Sequence, residues 1–182
     1  MSRIGKQPIT LPDGVKVELQ DHFIRVKGPK GTLERDFHPL IQVSLVNGQL
    51  VVARKSDAPL DRSLHGLTRA LLQNMVTGVS DGFSKYLELS GVGYKALKQG
   101  EKLVLQVGFT HPVEFNPPPG ITIETDGTRI TVSGADREAV GALAARIRRV
   151  RNPDPYKAKG IKYRGEVIRR KAGKALGKGA AK

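Results

Sequence analysis

Pro39-Leu40-Ile41-Gln42-Val43, then Asn47-Gly48, then Leu50-Val51-Val52, then Asp57 ahead of a helical pattern: this run occurs twice. The second copy reads Pro119-Gly120-Ile121-Thr122-Ile123, Asp126-Gly127, Ile130-Thr131-Val132 and Asp136, again ahead of a helical pattern. Pro39 to Pro119 is 80 residues and Asp57 to Asp136 is 79. Asn-Gly and Asp-Gly between alternating apolar residues mark two-residue hairpins, because a type I′ turn needs positive φ at both central positions. Asp57 and Asp136 suit helix N-caps, where a carboxylate accepts orphan backbone N–H groups. Hairpin, cap and helix in the same order twice argue for two related domains.

The first helix reads from Leu60, Leu64, Leu67, Leu71 and Met75 at spacings of three or four, with Gly78 as its C-cap. The second reads from Val140, Leu143, Ala144 and Ile147. It ends before Asn152-Pro153, since a residue preceding proline avoids the α region. Period-two segments lie upstream of each hairpin: Val15–Leu19 and Ile24–Val26 in the first copy, Tyr86–Leu89 and Leu103–Val107 in the second. Alternation implies a sheet with one buried face, which one amphipathic helix completes. The expected fold is α+β: two tandem duplicated domains, each a mostly antiparallel sheet with one helix packed on it, plus a basic C-terminal extension. The expected bounds are 1–81, 82–168 and a Gly/Ala/Lys tail over 169–182.

The 182 residues hold 31 Lys and Arg against 17 Asp and Glu, a formal charge of +14, and no cysteine. Disulfides, thiolate metal sites and cysteine nucleophiles are thereby excluded. No apolar run approaches the ~20 residues of a membrane span, and the N-terminus shows no apolar leader. The expectation is a cytosolic chain with a polyanionic partner. The charge is unevenly placed. Residues 1–80 hold 11 basic and 7 acidic side chains, 81–145 hold 6 and 8, and 146–182 hold 14 and 2. Charge serving solubility alone would be spread; here it gathers at one end.

Several apparent motifs carry no chemistry. Gly91-Val92-Gly93-Tyr94-Lys95-Ala96 has the spacing of a dinucleotide fingerprint, but a strand follows it where the pyrophosphate needs a helix N-terminus. The stretch reads instead as a glycine-loosened loop whose N–H groups, with Tyr94 and Lys95, suit phosphates; a loop that merely turns the chain is the alternative. His22, His38, His65 and His111 share no metal-ligand spacing. His65 reads as a hydrogen-bonding surface group. His111-Pro112 reads as a loop able to touch RNA or solvent. No paired carboxylates and no nucleophile elbow are visible, so no catalytic residue, metal or cofactor is expected.

The informative stretch starts on the second helix. Arg146, Arg148 and Arg149, with Arg151, exceed what a helix C-terminus needs for its dipole. Asn152-Pro153-Asp154-Pro155 then stiffens the backbone into an extended path. Tyr156 and Tyr163 alternate with Lys157, Lys159, Lys162 and Arg164, near Gly160. Cations contact phosphates and tyrosines stack on bases, unless the tyrosines fold back as core. Arg169, Arg170, Lys171 and Lys174 begin a tail expected to order, in part, on RNA. A DNA-binding architectural protein is disfavoured because neither helix suits a major groove. An RNA-modifying enzyme lacks a visible cofactor site.

Arg151-Asn152-Pro153-Asp154-Pro155-Tyr156-Lys157-Ala158-Lys159-Gly160-Ile161-Lys162-Tyr163 resembles the signature of the bacterial large-subunit ribosomal proteins of the sixth family. Ser2–Lys6 with Pro8-Ile9, Leu64–Leu72, and Gly91–Lys95 are similar to further stretches of that family. Arg3, Lys6 and Arg69, which lie in those stretches, complete the candidate RNA-binding set. Asp154 and Ala158 depart from it, where glutamate and glycine are usual. The resemblance implies two duplicated α+β domains and binding to 23S rRNA, mainly through the second domain and tail. It also implies a place near the stalk base, the sarcin–ricin loop and the translation-factor site, neighbouring large-subunit proteins, and no catalysis.

Overall fold

The structure, a computed structural model, describes residues 3–171 and 173. The chain divides into two compact units, Met1–Phe83 with Ser133–Val140, and Ser84–Val132 with Gly141–Lys182.

In the first unit β1 (Ile9–Thr10), β2 (Lys16–Gln20), β3 (Phe23–Gly28), β4 (Gly31–Asp36), β5 (Ile41–Val46) and β6 (Gln49–Arg54) precede α1 (Pro59–Ser80). The strands make two antiparallel sheets rather than one, ordered β1-β6-β5 and β2-β3-β4. The Asn47-Gly48 turn joins β5 and β6, with Val46 opposite Gln49 and Leu45 opposite Leu50. Its φ values of 50° and 74° are those of a type I′ turn. Ile24, Val26, Ile41, Leu50 and Val52 point inward at every second position, and Leu72, Met75, Val76 and Val79 of α1 close the core over them. Each such side chain contributes roughly 1.5–3 kcal/mol on burial.

The expected face of α1 is wrong in its first turns. Leu60 and Leu67 are 57% and 54% exposed, while Asp61, His65 and Thr68 are buried. Apolar residues at helical spacing lie on both flanks there, so spacing alone does not choose between them. The inward line is polar because each polar group meets a partner, which removes most of the burial penalty. Asp61 accepts from the Ser56 amide (3.1 Å) and hydroxyl (2.7 Å). His65 is a buried group, not a surface one. Its Nε2 donates to the Val52 carbonyl at 2.9 Å, and its Nδ1 accepts from Arg54 at 2.9 Å, since guanidinium can only donate.

Both ends of α1 also differ from expectation. Asp57 does not cap it: Ala58 is the N-cap, with proline in the first turn, and Asp57 turns back onto Arg54 Nε at 2.9 Å. That guanidinium holds the Asp57 carboxyl below the usual carboxylate range. Gly78 lies inside the helix. The helix ends at Ser80 with Asp81 as its C-cap, and Gly82, with φ of +76° and its amide bonded to the Thr77 carbonyl (3.1 Å), forms the left-handed exit.

The second copy of the repeat carries β7 (Phe83–Ser90), β8 (Lys95–Gln99), β9 (Lys102–Gln106), β10 (Val113–Phe115), β11 (Ile121–Asp126), β12 (Arg129–Gly134), α2 (Arg137–Val150) and β13 (Gly160–Tyr163), of which Phe83, the end of β12 from Ser133 and the start of α2 to Val140 fall in the first unit. Its sheets are ordered β10-β9-β8 and β11-β12-β7-β13. Leu103, Val104 and Leu105 are consecutively buried, so β9 is covered on both faces rather than alternating. At the second hairpin only Gly127 takes positive φ, 58°, so the turn is Gly127-Thr128 with glycine first, the pattern of type II′ rather than I′. Asp136 does cap α2, its Oδ1 accepting from the Glu138 amide at 2.8 Å. Val140, Leu143, Ala144 and Ile147 are all buried, as the stripe required.

Candidate nucleic-acid interface

The segment after α2 is neither extended nor a tail. Asp154 organises it: its Oδ2 accepts from the Lys157 amide (2.9 Å), its carbonyl from the Ala158 amide (2.8 Å), and its own amide donates to the Lys159 carbonyl (2.8 Å). An aspartate among cations thus has a structural task. Ala158 sits at φ 56°, a left-handed conformation that disfavours a Cβ by roughly 1 kcal/mol. The turn returns the chain to Gly160, and the Ile161 amide bonds the Arg151 carbonyl at 2.8 Å. Gly160, opposite Ser90, starts the pairing of β13 with β7, and the fully buried Ile161 follows opposite Leu89. Extension was expected because two prolines fix φ; the Asp154 hydrogen bonds and the Ala158 conformation override them.

Arg169, Arg170 and Lys171 are not detached either. The Lys171 amide donates to the Pro155 carbonyl at 2.9 Å, which returns the start of the tail to the Tyr156–Lys159 loop. Tyr156 is 54% exposed. Lys157, Lys159, Arg169, Arg170 and Lys171 are all exposed, and none has an ion-pair partner among the described residues. The first unit contrasts with this: Arg25 bonds Glu34 at 2.6 Å and Lys27 bonds Glu18 at 2.7 Å.

The remaining candidates separate into open and engaged groups. Arg149, Arg151 and His111 are exposed. Arg148 is engaged, its guanidinium binding Glu166 through Nε (3.1 Å) and Nη2 (2.5 Å) and lying 5.7 Å from the Tyr163 ring centre. Lys162 faces Glu88 across the sheet at 3.4 Å. Tyr163 is a half-buried strand residue, and Arg164 lies over the Tyr86 ring at 5.7 Å. Gly160 is buried and shapes the loop. Gly91 and Gly93 lie in the β7–β8 connection, where a Cβ on Gly91 would come within 2.8 Å of the Tyr94 ring; Lys95 opens β8, exposed. Arg3 and Lys6 are exposed on the first unit, and a Cβ on the buried Gly5 between them would come within 2.6 Å of the His65 ring. Arg69 donates to the Gln7 carbonyl at 3.2 Å. Lys174, like the rest of the tail from 174 to 182, lies outside the described residues.

Two residues escaped the sequence reading. Glu166 is one; its signal was an isolated acid in the basic end. Phe109 is the other, 42% exposed between Gly108 and the His111-Pro112 pair, with Arg151 over its ring at 5.2 Å. Elsewhere on this unit a groove of about 320 Å³ is lined by Glu88, Glu124 and Asp126 against Arg129 and Arg164, a mixture unsuited to a polyanion.

Glu166 also sets an acid sensitivity. The Arg148 hydrogen bonds, then the Tyr163 amide (2.9 Å), hold its carboxyl below the usual glutamate range. A carboxyl lowered on folding stabilises fully above its unfolded value, roughly pH 4–5, and the contribution disappears as pH falls toward the folded value. Glu166→Gln is therefore expected to lose about 1 kcal/mol at pH 7, with a smaller gap from the unaltered protein at pH 3. Urea unfolding at the two pH values checks it; a gap that persists in acid would refute the ionic origin.

By class this is a duplicated α+β protein of basic charge, with cations that have no ion-pair partner among the described residues gathered on one loop and the chain that returns to it. The family described as ribosomal protein L6 matches residues 11–82 and 90–164, one match for each copy of the repeat, and the chain belongs to that family. It is a family of ribosomal proteins and not of enzymes. Among its relatives, the large ribosomal subunit protein uL6 of Desulforamulus reducens is 61% identical over 180 residues, covering 98% of this chain and 99% of its own. That of Pelotomaculum thermopropionicum is 58% identical over 180 residues with the same coverage, and that of Syntrophomonas wolfei 59% over 179, covering 98% and 100%.

Proposed function

We propose that this chain is a cytoplasmic, structural constituent of the large ribosomal subunit that binds 23S rRNA. The observation that carries the reading is the loop from Tyr156 to Lys159 with Arg169–Lys171 returned to it, where exposed cations have no acidic partner among the described residues. Such groups neutralise phosphates and release counterions, the main source of affinity for nucleic acid. The second copy of the repeat with its tail, residues 82–182, is the main RNA-binding part. The first unit's Arg25 and Lys27, by contrast, are already held by carboxylates. The position proposed within the subunit is near the stalk base, the sarcin–ricin loop and the site where translation factors dock, beside other large-subunit proteins. It rests on the family resemblance.

Tagged full-length chain should co-sediment with large subunits, and its crosslinks should map to 23S rRNA from the Tyr156–Lys171 region. Crosslinks confined to proteins or to small-subunit rRNA would overturn the reading.

A further inference from the structure

Phe109 is one of five phenylalanines in a chain without tryptophan, and it is left 42% exposed. Its place between β9 and β10 is not slack. Val107 before it is buried, Gly108 takes φ +77°, and His111 is confined to extended backbone by Pro112. The His111 ring lies 6.3 Å from that of Phe109 and within 17° of parallel. The Arg151 guanidinium lies over the phenyl ring at 5.2 Å. A Cβ on Gly108 would stand 3.3 Å from the Tyr94 ring, so this connection also meets the β7–β8 loop.

We propose that Phe109 and His111 form a stacking site for an unpaired nucleobase, with Arg151 orienting the phenyl ring and meeting the neighbouring phosphate. The inference rests on the rRNA-binding reading and adds to it a site of different chemistry. Phenyl, imidazole and guanidinium are the planar groups on which splayed bases stack. An aromatic ring held open on a fixed backbone needs little further ordering to receive one. The neighbouring charge is cationic, which matches a nucleotide better than an apolar protein surface.

The absence of tryptophan supplies the test. Phe109→Trp introduces a single reporter. It is expected to bind 23S rRNA within about twofold of the unaltered full-length chain, with its emission quenched at saturation. Phe109→Leu keeps apolar bulk but not the ring. It should bind about tenfold more weakly, with an unchanged slope of log K against log salt, because no phosphate contact is lost. Leucine-variant binding equal to that of the unaltered chain, or tryptophan emission indifferent to saturating rRNA, overturns the stacking site alone. Failure of the unaltered chain to bind the rRNA overturns the site and the reading beneath it together.

Discussion

Gly160→Ala is expected to lower stability by about 3–4 kcal/mol, enough to unfold much of the second unit at physiological temperature. Gly160 stands at φ +149°, and an added Cβ would lie 2.7 Å from the Asn152 carbonyl oxygen and from the Pro153 nitrogen and Cα. These are backbone atoms, and Pro153 cannot rotate away because its φ is fixed. Relief requires moving either the exit of α2 or the start of β13. The second displaces Ile161, fully buried, from its place opposite Leu89. Thermal unfolding followed by circular dichroism checks this. A loss under about 1 kcal/mol would show that the loop shifts freely, contrary to the hydrogen bonds that close it.

The sheets were legible where neighbours in sequence are neighbours in space. Ile24 and Val26, or Ile121 and Ile123, declare an inward face by period two, and Asn47-Gly48 declares its own turn. The failures share a cause: the deciding partner is remote in sequence or depends on side-chain chemistry. Asp61 and His65 look like an outer face until Ser56, Val52 and Arg54 come into reach. Strand β13 holds one fully buried apolar residue, Ile161, among lysines and prolines, and its pairing partner is 72 residues away (Leu89 to Ile161). For the candidate site, composition located the cationic end. It did not distinguish Arg148 and Lys162, which face carboxylates, from Lys157 and Lys159, which face none among the described residues.

That distinction yields the second large effect. Replacing Lys157, Lys159, Arg169, Arg170 and Lys171 together by Gln should reduce the slope of log K against log salt by about 3.5 to 4.5, at ~0.7–0.9 for each phosphate contact. Affinity for the rRNA should fall on the order of a hundredfold or more at moderate salt, with little change in Tm, since all five side chains are exposed. Lys162→Gln should behave differently. Its ammonium faces Glu88 at 3.4 Å with both side chains 31% exposed, so it adds little to the slope and acts mainly on the sheet. Filter binding across a salt series, with melting curves of the free proteins, separates the two groups. An unchanged slope in the fivefold variant would mean that these cations face solvent in the complex.

The pairing of β13 with β7 also has a consequence for the order in which the chain folds. The core side chains of the first unit lie between Ile9 and Val79 and are made before any strand of the second copy. The sheet of the second unit closes only when Gly160–Tyr163 has been made and has found a strand that began at Phe83. Joining segments so far apart carries a loop-closure cost that local hairpins escape. The loop from Tyr156 to Lys159 is built on that strand, so it takes shape only after Tyr163 has been made. A nascent chain therefore carries its N-terminal core long before it can present its cationic loop to any partner.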